Sequence, residues 1–187
     1  MRHGSTPRLI ERALAPREVS RRFPTIREMQ IIDGKPVYSA TDLVGFLACS
    51  HLTELERCAL AARVTKPVRS DPELEIIQKR GQQHEQVYIR RLREQGRMVS
   101  DLQAERPADV DRAGWYRQQA ATTRSAIERG DDVIFQACFY DGTWLGFADF
   151  LLRKDDPDAS LGWSYEVADT KLAHSVKAGA LLQICVY

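Results

Sequence analysis

Long apolar runs are absent from this sequence of 187 residues. The most apolar stretch, ALLQICVY at residues 180–187, is much shorter than the roughly 20 residues that a membrane-spanning helix needs. Residues 1–22 also lack the apolar core of a secretory signal peptide. The sequence therefore predicts a protein that does not span a membrane, and cytoplasmic residence is the default expectation.

An excess of charge of either sign is also absent. The 27 lysines and arginines nearly balance the 26 aspartates and glutamates, which leaves a formal net charge of +1. This balance excludes a polycation that attracts nucleic acid over its whole surface, so DNA binding would need a local basic patch. Hydrophobic residues make up 43% of the chain, which is enough for the core of one domain.

Cysteines are few and scattered. None of the four belongs to a CxxC pair, so the sequence contains no zinc or redox motif of that kind. Isolated cysteines in a cytosolic protein are most often reduced core residues, and we expect that here. They are Cys49, Cys58, Cys138 and Cys185.

The order of predicted elements favours an α/β fold. Residues 1–37 are interpreted as an Arg-rich arm and a short extended hairpin, and 38–187 as one domain. Ser39 with Asp42 resembles a capping box at a helix start. Further helices are predicted at 51–63, 72–95 and 111–129. Pro67 is expected to stop the first of these.

Three strands and a last helix follow. The apolar runs on either side of Asp141-Gly142 predict a β-hairpin, and GWSYEVADTK at 162–171 predicts a third strand. A final helix is predicted from about residue 174 to Tyr187, where the pattern stops without a cap. The chain is therefore expected to be helices, then a three-strand antiparallel meander, then a flanking helix without packing partners, in a domain incomplete at its C-terminus.

Acidic side chains on the predicted sheet suggest a metal site. Asp149 interrupts the apolar strand FADFLL, and a carboxylate there needs a partner or a metal. Asp169 and Lys171 are two apart, so in a strand they point to the same face. Two carboxylates beside an amine can hold a divalent cation next to a proton donor. Alternatively, Asp169 and Lys171 form an exposed ion pair worth about 0–1 kcal/mol.

Other polar residues lie close to this pattern. His84 is placed on or beside the inward stripe of the 72–95 helix, although a lone histidine there is more often structural. Gln183 and Tyr187 are i, i+4 and share a helix face. Glu166 faces away from Lys171 and is interpreted as an ion-pair residue, whereas Glu85 would assist from outside the metal ligands.

Four motifs together resemble the RecB-like branch of the PD-(D/E)xK nuclease superfamily, over about residues 38–187. Each motif alone is common by chance, but their order and their predicted elements agree with that family. They are RGQQHE at 80–85, GFADF at 146–150, DTK at 169–171 and QICVY at 183–187.

The resemblance implies a restriction-endonuclease-like core and a metal-dependent DNA nuclease acting in repair, recombination or processing. It implies His84, Asp149 and Asp169 as ligands of Mg²⁺ or Mn²⁺, with the two aspartates and Lys171 catalytic. It places Gln183 and Tyr187 near the substrate, and it implies DNA as partner, with an RNase H-like or helicase region following in a longer protein.

Two further interpretations remain open. Some relatives carry the first of four iron–sulfur ligands at the position of Cys49, but their other three cysteines follow the last motif, so a cluster within residues 1–187 is not expected. The chain could also be a non-catalytic nucleic-acid-binding or scaffold module of a repair protein, or a truncated fragment without function. Intact Asp149, Asp169 and Lys171 favour the nuclease.

Overall fold

The computed structural model describes residues 29–67, 72–170 and 178–187, with only the backbone described at 72–75. Most of the predicted N-terminal arm and all of Lys171 lie outside these residues. The described elements are β1 (Gln30–Ile32), β2 (Lys35–Val37), α1 (Ala40–Ala48), α2 (Ser50–Leu60), α3 (Pro72–Glu94), β3 (Val99–Asp101), α4 (Arg112–Arg129), β4 (Val133–Tyr140), β5 (Leu145–Asp155), β6 (Trp163–Ala168) and α5 (Ala178–Cys185).

The larger sheet has four strands in the order β3-β4-β5-β6. Strands β4, β5 and β6 form the predicted antiparallel meander, in which Phe135 pairs with Phe150 and Phe150 with Ala168. The prediction missed that β3 joins this sheet parallel to β4, with Val99 opposite Val133. A parallel pair needs a long crossover connection, and α4 supplies it. Mixed α/β architecture is thus confirmed.

Helices α3 and α4 cover opposite faces of this sheet. Ile89 and Leu92 of α3 pack with Phe135, whereas Ala126 of α4 packs with Ile134. Because successive strand residues point to opposite faces, these contacts place one helix on each side. The core is therefore a helix–sheet–helix sandwich with the meander at its centre.

The short hairpin β1–β2 forms where the sequence predicts it. Asp33 and Gly34 take the positive φ angles of 50° and 73° that a tight hairpin turn requires. Ile32 and Val37 are buried in the same cluster as Trp115 of α4. The hairpin therefore packs onto the α4 face of the core.

Helix ends follow local capping chemistry in most cases. The capping box between Ser39 and Asp42 is present, and Gly130 ends α4 in the left-handed conformation. The predicted stop of α2 at Pro67 is wrong, because α2 already ends at Leu60. Ala62 has φ 54° there, and the Arg63 N–H donates to the Cys58 carbonyl at 2.8 Å, which closes the last turn.

The predicted inward stripe of α3 is wrong in its N-terminal half. Ile77 is 57% exposed and His84 is exposed, while Ile89 and Leu92 are buried. Helical spacing determines which residues share a face, but not how much of that face another element covers. Here the sheet covers the C-terminal half of the helix, where Tyr88 packs edge-to-face on Phe150 with ring centroids 4.9 Å apart.

The expectation of buried cysteines holds for one of the four. All are free thiols, and Cys138 alone is buried, whereas Cys49 and Cys185 are exposed. Cys49 lies at the exposed junction between α1 and α2. The average burial of cysteine does not predict the exposure of a residue at such a junction.

Helix α5 does not lack packing partners as predicted. It contacts α1, and a Cβ built at Gly179 would lie 3.2 Å from the Cγ1 atom of Val44. The small residue thus permits close approach of the two helices. Across the described ranges, none of the helices combines the length and the apolar content that crossing a bilayer requires.

Candidate functional site

Asp149 lies on β5, and Asp169 directly follows the neighbouring strand β6. The last pair of the β5–β6 ladder joins Phe150 to Ala168. Asp149 precedes Phe150 and Asp169 follows Ala168, so in this antiparallel ladder the two aspartates occupy the next position. Residues at such positions have Cβ atoms about 4.5–5.5 Å apart in a regular ladder. The sequence predicted Asp169 within the third strand, but β6 ends at Ala168, so Asp169 lies one residue beyond the strand that neighbours β5.

Tyr187 packs against β5, where its phenol is influenced by the charges of both aspartates. Burial, together with the smaller effect of the negative charges of Asp149 and Asp169, raises the pKa of its phenol to about 12, while a hydrogen bond with the Phe147 backbone opposes the shift. Its ring stacks on Phe139 with centroids 5.8 Å apart. The phenol is therefore protonated at neutral pH and can donate a hydrogen bond within the site.

The close fit of Tyr187 depends on Gly146 in the GFADF motif. A Cβ built at residue 146 would overlap the tyrosine ring. Glycine at this position thus leaves room for the ring to lie directly on β5, three residues from Asp149. The sequence prediction singled out the motif but not this role of its glycine.

The helical argument for Gln183 and Tyr187 needs correction. Helix α5 ends at Cys185, and the Val186 N–H donates to the Gln183 carbonyl at 3.3 Å in a turn. Tyr187 therefore lies beyond the last helical residue, and i, i+4 spacing does not describe its direction. Gln183 is half-buried on the helix.

His84 and Lys171 are not part of the described cluster. His84 is exposed on α3, one turn before Tyr88, and Lys171 lies outside the described residues. In the described part of the chain, no three histidine, cysteine, aspartate or glutamate side chains form a group that could hold a metal ion. The structure thus places Asp149 and Asp169 next to the last pair of the β5–β6 ladder and Tyr187 within reach of their charges.

The donor chemistry of the two aspartates nevertheless fits a hard divalent cation. Mg²⁺ prefers oxygen ligands and is typically bound by one or two protein carboxylates with waters completing its shell. The Oδ1 atom of Asp169 and the Oγ1 atom of Thr170 are both enclosed, so this pair of residues lies at a protected position. Asp149 and Asp169 are the residues that would hold Mg²⁺ or Mn²⁺.

Gln136 is a member of the site that the sequence prediction missed. It lies between Phe135 and Ala137, which pair with Phe150 and Ala148, so it stands opposite Asp149. Its Nε2 atom donates to the Asp149 Oδ1 atom at 3.3 Å. Its φ angle is +57°, which costs a residue other than glycine about 1–3 kcal/mol. A glutamine inside an apolar strand was the available signal.

Glu166 has the role that the sequence predicted for it. It is exposed on β6, and its carboxylate lies 3.2 Å from the Nζ atom of Lys154 on β5. This cross-strand ion pair joins two exposed side chains, and it assigns Glu166 a role separate from that of Asp169.

Comparisons with known proteins leave the family open. Neither the family models, nor the curated proteins, nor the solved structures contain a match to this chain. The site is therefore described by its own geometry: a carboxylate on β5, a second one directly after β6, a half-buried tyrosine and a glutamine amide.

Proposed function

We propose that this chain is a metal-dependent DNA nuclease domain with a restriction-endonuclease-like core, which hydrolyses phosphodiester bonds during repair, recombination or processing of DNA. The observation that supports this proposal most is the Phe150–Ala168 pair at the end of the β5–β6 ladder, which is followed directly by Asp169 and preceded on β5 by Asp149. The four sequence motifs and their order support it independently.

The residues would divide the reaction between them. Asp149 and Asp169 would hold Mg²⁺ or Mn²⁺, and the bound ion would supply positive charge against the scissile phosphate. Lys171 follows Asp169 by two residues and would orient the attacking water and stabilise the charge that develops on the phosphate. Water attacks phosphorus, the bond to the leaving oxygen breaks, and that oxygen takes up a proton.

Tyr187 and Gln183 would contact the substrate side of the site. Since the pKa of Tyr187 is about 12, its hydroxyl acts as a hydrogen-bond donor rather than as a base at neutral pH. His84 is exposed on α3 and forms no three-residue ligand group with the two aspartates among the described residues. The two carboxylates are therefore the ligands on which the proposal depends.

A cleavage assay with matched variants tests the proposal. Labelled single- and double-stranded DNA is incubated with the protein in Mg²⁺, in Mn²⁺ and in chelator. Asp149→Asn, Asp169→Asn and Lys171→Ala are each expected to lower the cleavage rate by about 100-fold or more. Asp155→Asn and Lys154→Ala alter exposed charges on the same strand and are expected to cut like the wild type.

Two results would contradict the nuclease. One is equal cleavage by wild type and by all three site variants, which would assign the activity to a contaminant. The other is DNA binding without cleavage in either metal, which would favour the non-catalytic nucleic-acid-binding module.

A further inference from the structure

Gln136 has a backbone conformation that its place in the fold does not explain. Among the described residues, three that are not glycine have a positive φ angle. Asp33 lies in the β1–β2 turn and Ala62 closes the end of α2. Gln136, with φ +57°, instead lies in the middle of β4, the strand between β3 and β5. A left-handed residue inside a central strand is uncommon, and such positions cluster at functional sites.

The conformation interrupts the ladder at the level of the candidate site. Phe135 pairs with Phe150 and Ala137 with Ala148, but no pair is formed between Gln136 and Asp149. Their side chains interact instead, since the Gln136 Nε2 atom donates to Asp149 Oδ1 at 3.3 Å. A glycine would adopt this backbone without strain, but it has no amide to offer.

We propose that Gln136 is a positioning residue, whose amide holds the Asp149 carboxylate in the orientation in which it binds a divalent cation together with Asp169. This inference rests on the proposed metal site. Groups that hydrogen-bond a ligand orient it, and their loss typically lowers metal affinity by about 10- to 100-fold. The positive φ angle of Gln136 then allows its amide to reach Asp149 on the adjacent strand.

Two substitutions separate the amide from the backbone. Gln136→Met keeps a side chain of similar length and the strained backbone, but removes the donor. Gln136→Gly removes the donor and relieves the strain, so it is expected to unfold at a temperature at or above that of the methionine variant. Gln118→Met repeats the exchange at an exposed position on α4 and serves as the matched control.

Mn²⁺ binding is measured by titration calorimetry or electron paramagnetic resonance, with thermal unfolding of the same samples. Both Gln136 variants are expected to bind Mn²⁺ about 10- to 100-fold more weakly than wild type, whatever their melting temperature. Gln118→Met and wild type should bind alike. If Gln136→Met or Gln136→Gly binds within twofold of wild type, or affinity merely follows melting temperature, the positioning role is overturned.

The same titration distinguishes failure of this inference from failure of the nuclease. Wild type that binds Mn²⁺, loses it in Asp149→Asn and in both Gln136 variants, yet cuts no DNA, overturns the nuclease and supports the positioning role. Wild type that binds no Mn²⁺ through Asp149 overturns the positioning role as stated. Cleavage by a Gln136→Met variant at the wild-type rate and Mn²⁺ affinity overturns the positioning role alone.

Discussion

At the scale of single residues, Gly146 shows how one missing side chain shapes the site. The ring of Tyr187 occupies the space that a Cβ at residue 146 would need, and it stacks on Phe139 from the neighbouring strand. The tyrosine ring can take this position because residue 146 of β5 has only a hydrogen atom where other residues have a side chain. Any larger residue there must move the tyrosine.

Gly146→Ala is expected to destabilise the fold by about 1–3 kcal/mol, since the added methyl group overpacks the contact with Tyr187. Chemical denaturation measures the loss, and DNA cleavage should fall with it. Gly81→Ala is the matched control of opposite sign: no atom lies within 4 Å of its Cβ position, and alanine is favoured over glycine in α3 by about 1 kcal/mol. Equal stability of the Gly146→Ala variant and wild type would contradict the packing.

The raised pKa of the Cys138 thiol makes the free energy of unfolding fall as the pH rises in the alkaline range. Burial raises the pKa of its thiol from 9.0 to about 12, so the unfolded chain loses this proton at lower pH than the folded chain. The stabilisation is fully present below pH 9 and is lost as the pH rises from there toward 12. The raised pKa of Tyr187 acts in the same direction between 10 and about 12.

Urea denaturation at pH 8, 9.5 and 11 is expected to show falling stability in wild type, with a shallower fall in Cys138→Ala because the titrating thiol is gone. Cys49→Ala changes an exposed cysteine and should keep the wild-type slope. A fall that is the same in all three proteins would exclude Cys138 as its source.

At the scale of elements, the start of α1 rests on a reciprocal cap. The Ser39 N–H and hydroxyl both donate to the Asp42 carboxylate at 2.7 Å, and the Asp42 N–H donates to the Ser39 Oγ atom at 3.4 Å. Ser39 is buried, and Asp42 also accepts from the Met29 N–H at 3.0 Å. The cap therefore ties the hairpin side of the fold to the helix on which α5 packs.

Ser39→Ala is expected to lower the free energy of unfolding by about 1 kcal/mol, the usual contribution of an N-cap side chain. Ser125→Ala exchanges an exposed serine inside α4, where alanine is the better helix former, and should be neutral or slightly stabilising. Thermal and urea unfolding of both variants measure the difference. A loss of the same size in both would show that the cap contributes nothing particular.

Local signals in the sequence predicted the elements well. The Ser39 cap, the Asp33-Gly34 and Asp141-Gly142 turns and the Gly130 helix end all depend on neighbours within a few residues. The pairing of β3 with β4 could not be predicted in the same way, because it depends on where α4 returns the chain. The sequence placed Asp149 and Asp169 on neighbouring strands of the meander but did not give the register, which pairs Phe150 with Ala168.

The site was harder to predict than the elements. His84 is exposed because the sheet covers only part of α3. The spacing of apolar residues does not show how much of a helix its neighbours cover. The φ angle of +57° at Gln136 lies in the middle of a strand, where the sequence shows no turn residue that would signal it. Membership of a short motif was not sufficient either, since the exposure of His84 and the position of Tyr187 beyond α5 both depend on tertiary structure.

At the scale of the whole molecule, a bound metal should couple the site to global stability. Two carboxylates at facing positions repel each other when no cation is near, and an ion that binds only the folded chain shifts unfolding to higher temperature. With Mn²⁺ at 100 times its dissociation constant, the expected gain is about 2.7 kcal/mol. Asp169→Asn should lose this gain, whereas Asp155→Asn should keep it. A melting temperature unchanged by Mn²⁺ would contradict a metal site here.

The order of the strands in the meander affects the folding rate of the chain. Strands β4, β5 and β6 pair in their order along the chain, so closing them costs little loop entropy, and such contacts tend to form early. Leu151→Ala, in the middle of β5, is expected mainly to slow refolding, whereas Leu92→Ala in α3 is expected mainly to speed unfolding. Stopped-flow measurements on these two buried leucines would give the larger φ-value to Leu151, and equal values would place the rate-limiting step elsewhere.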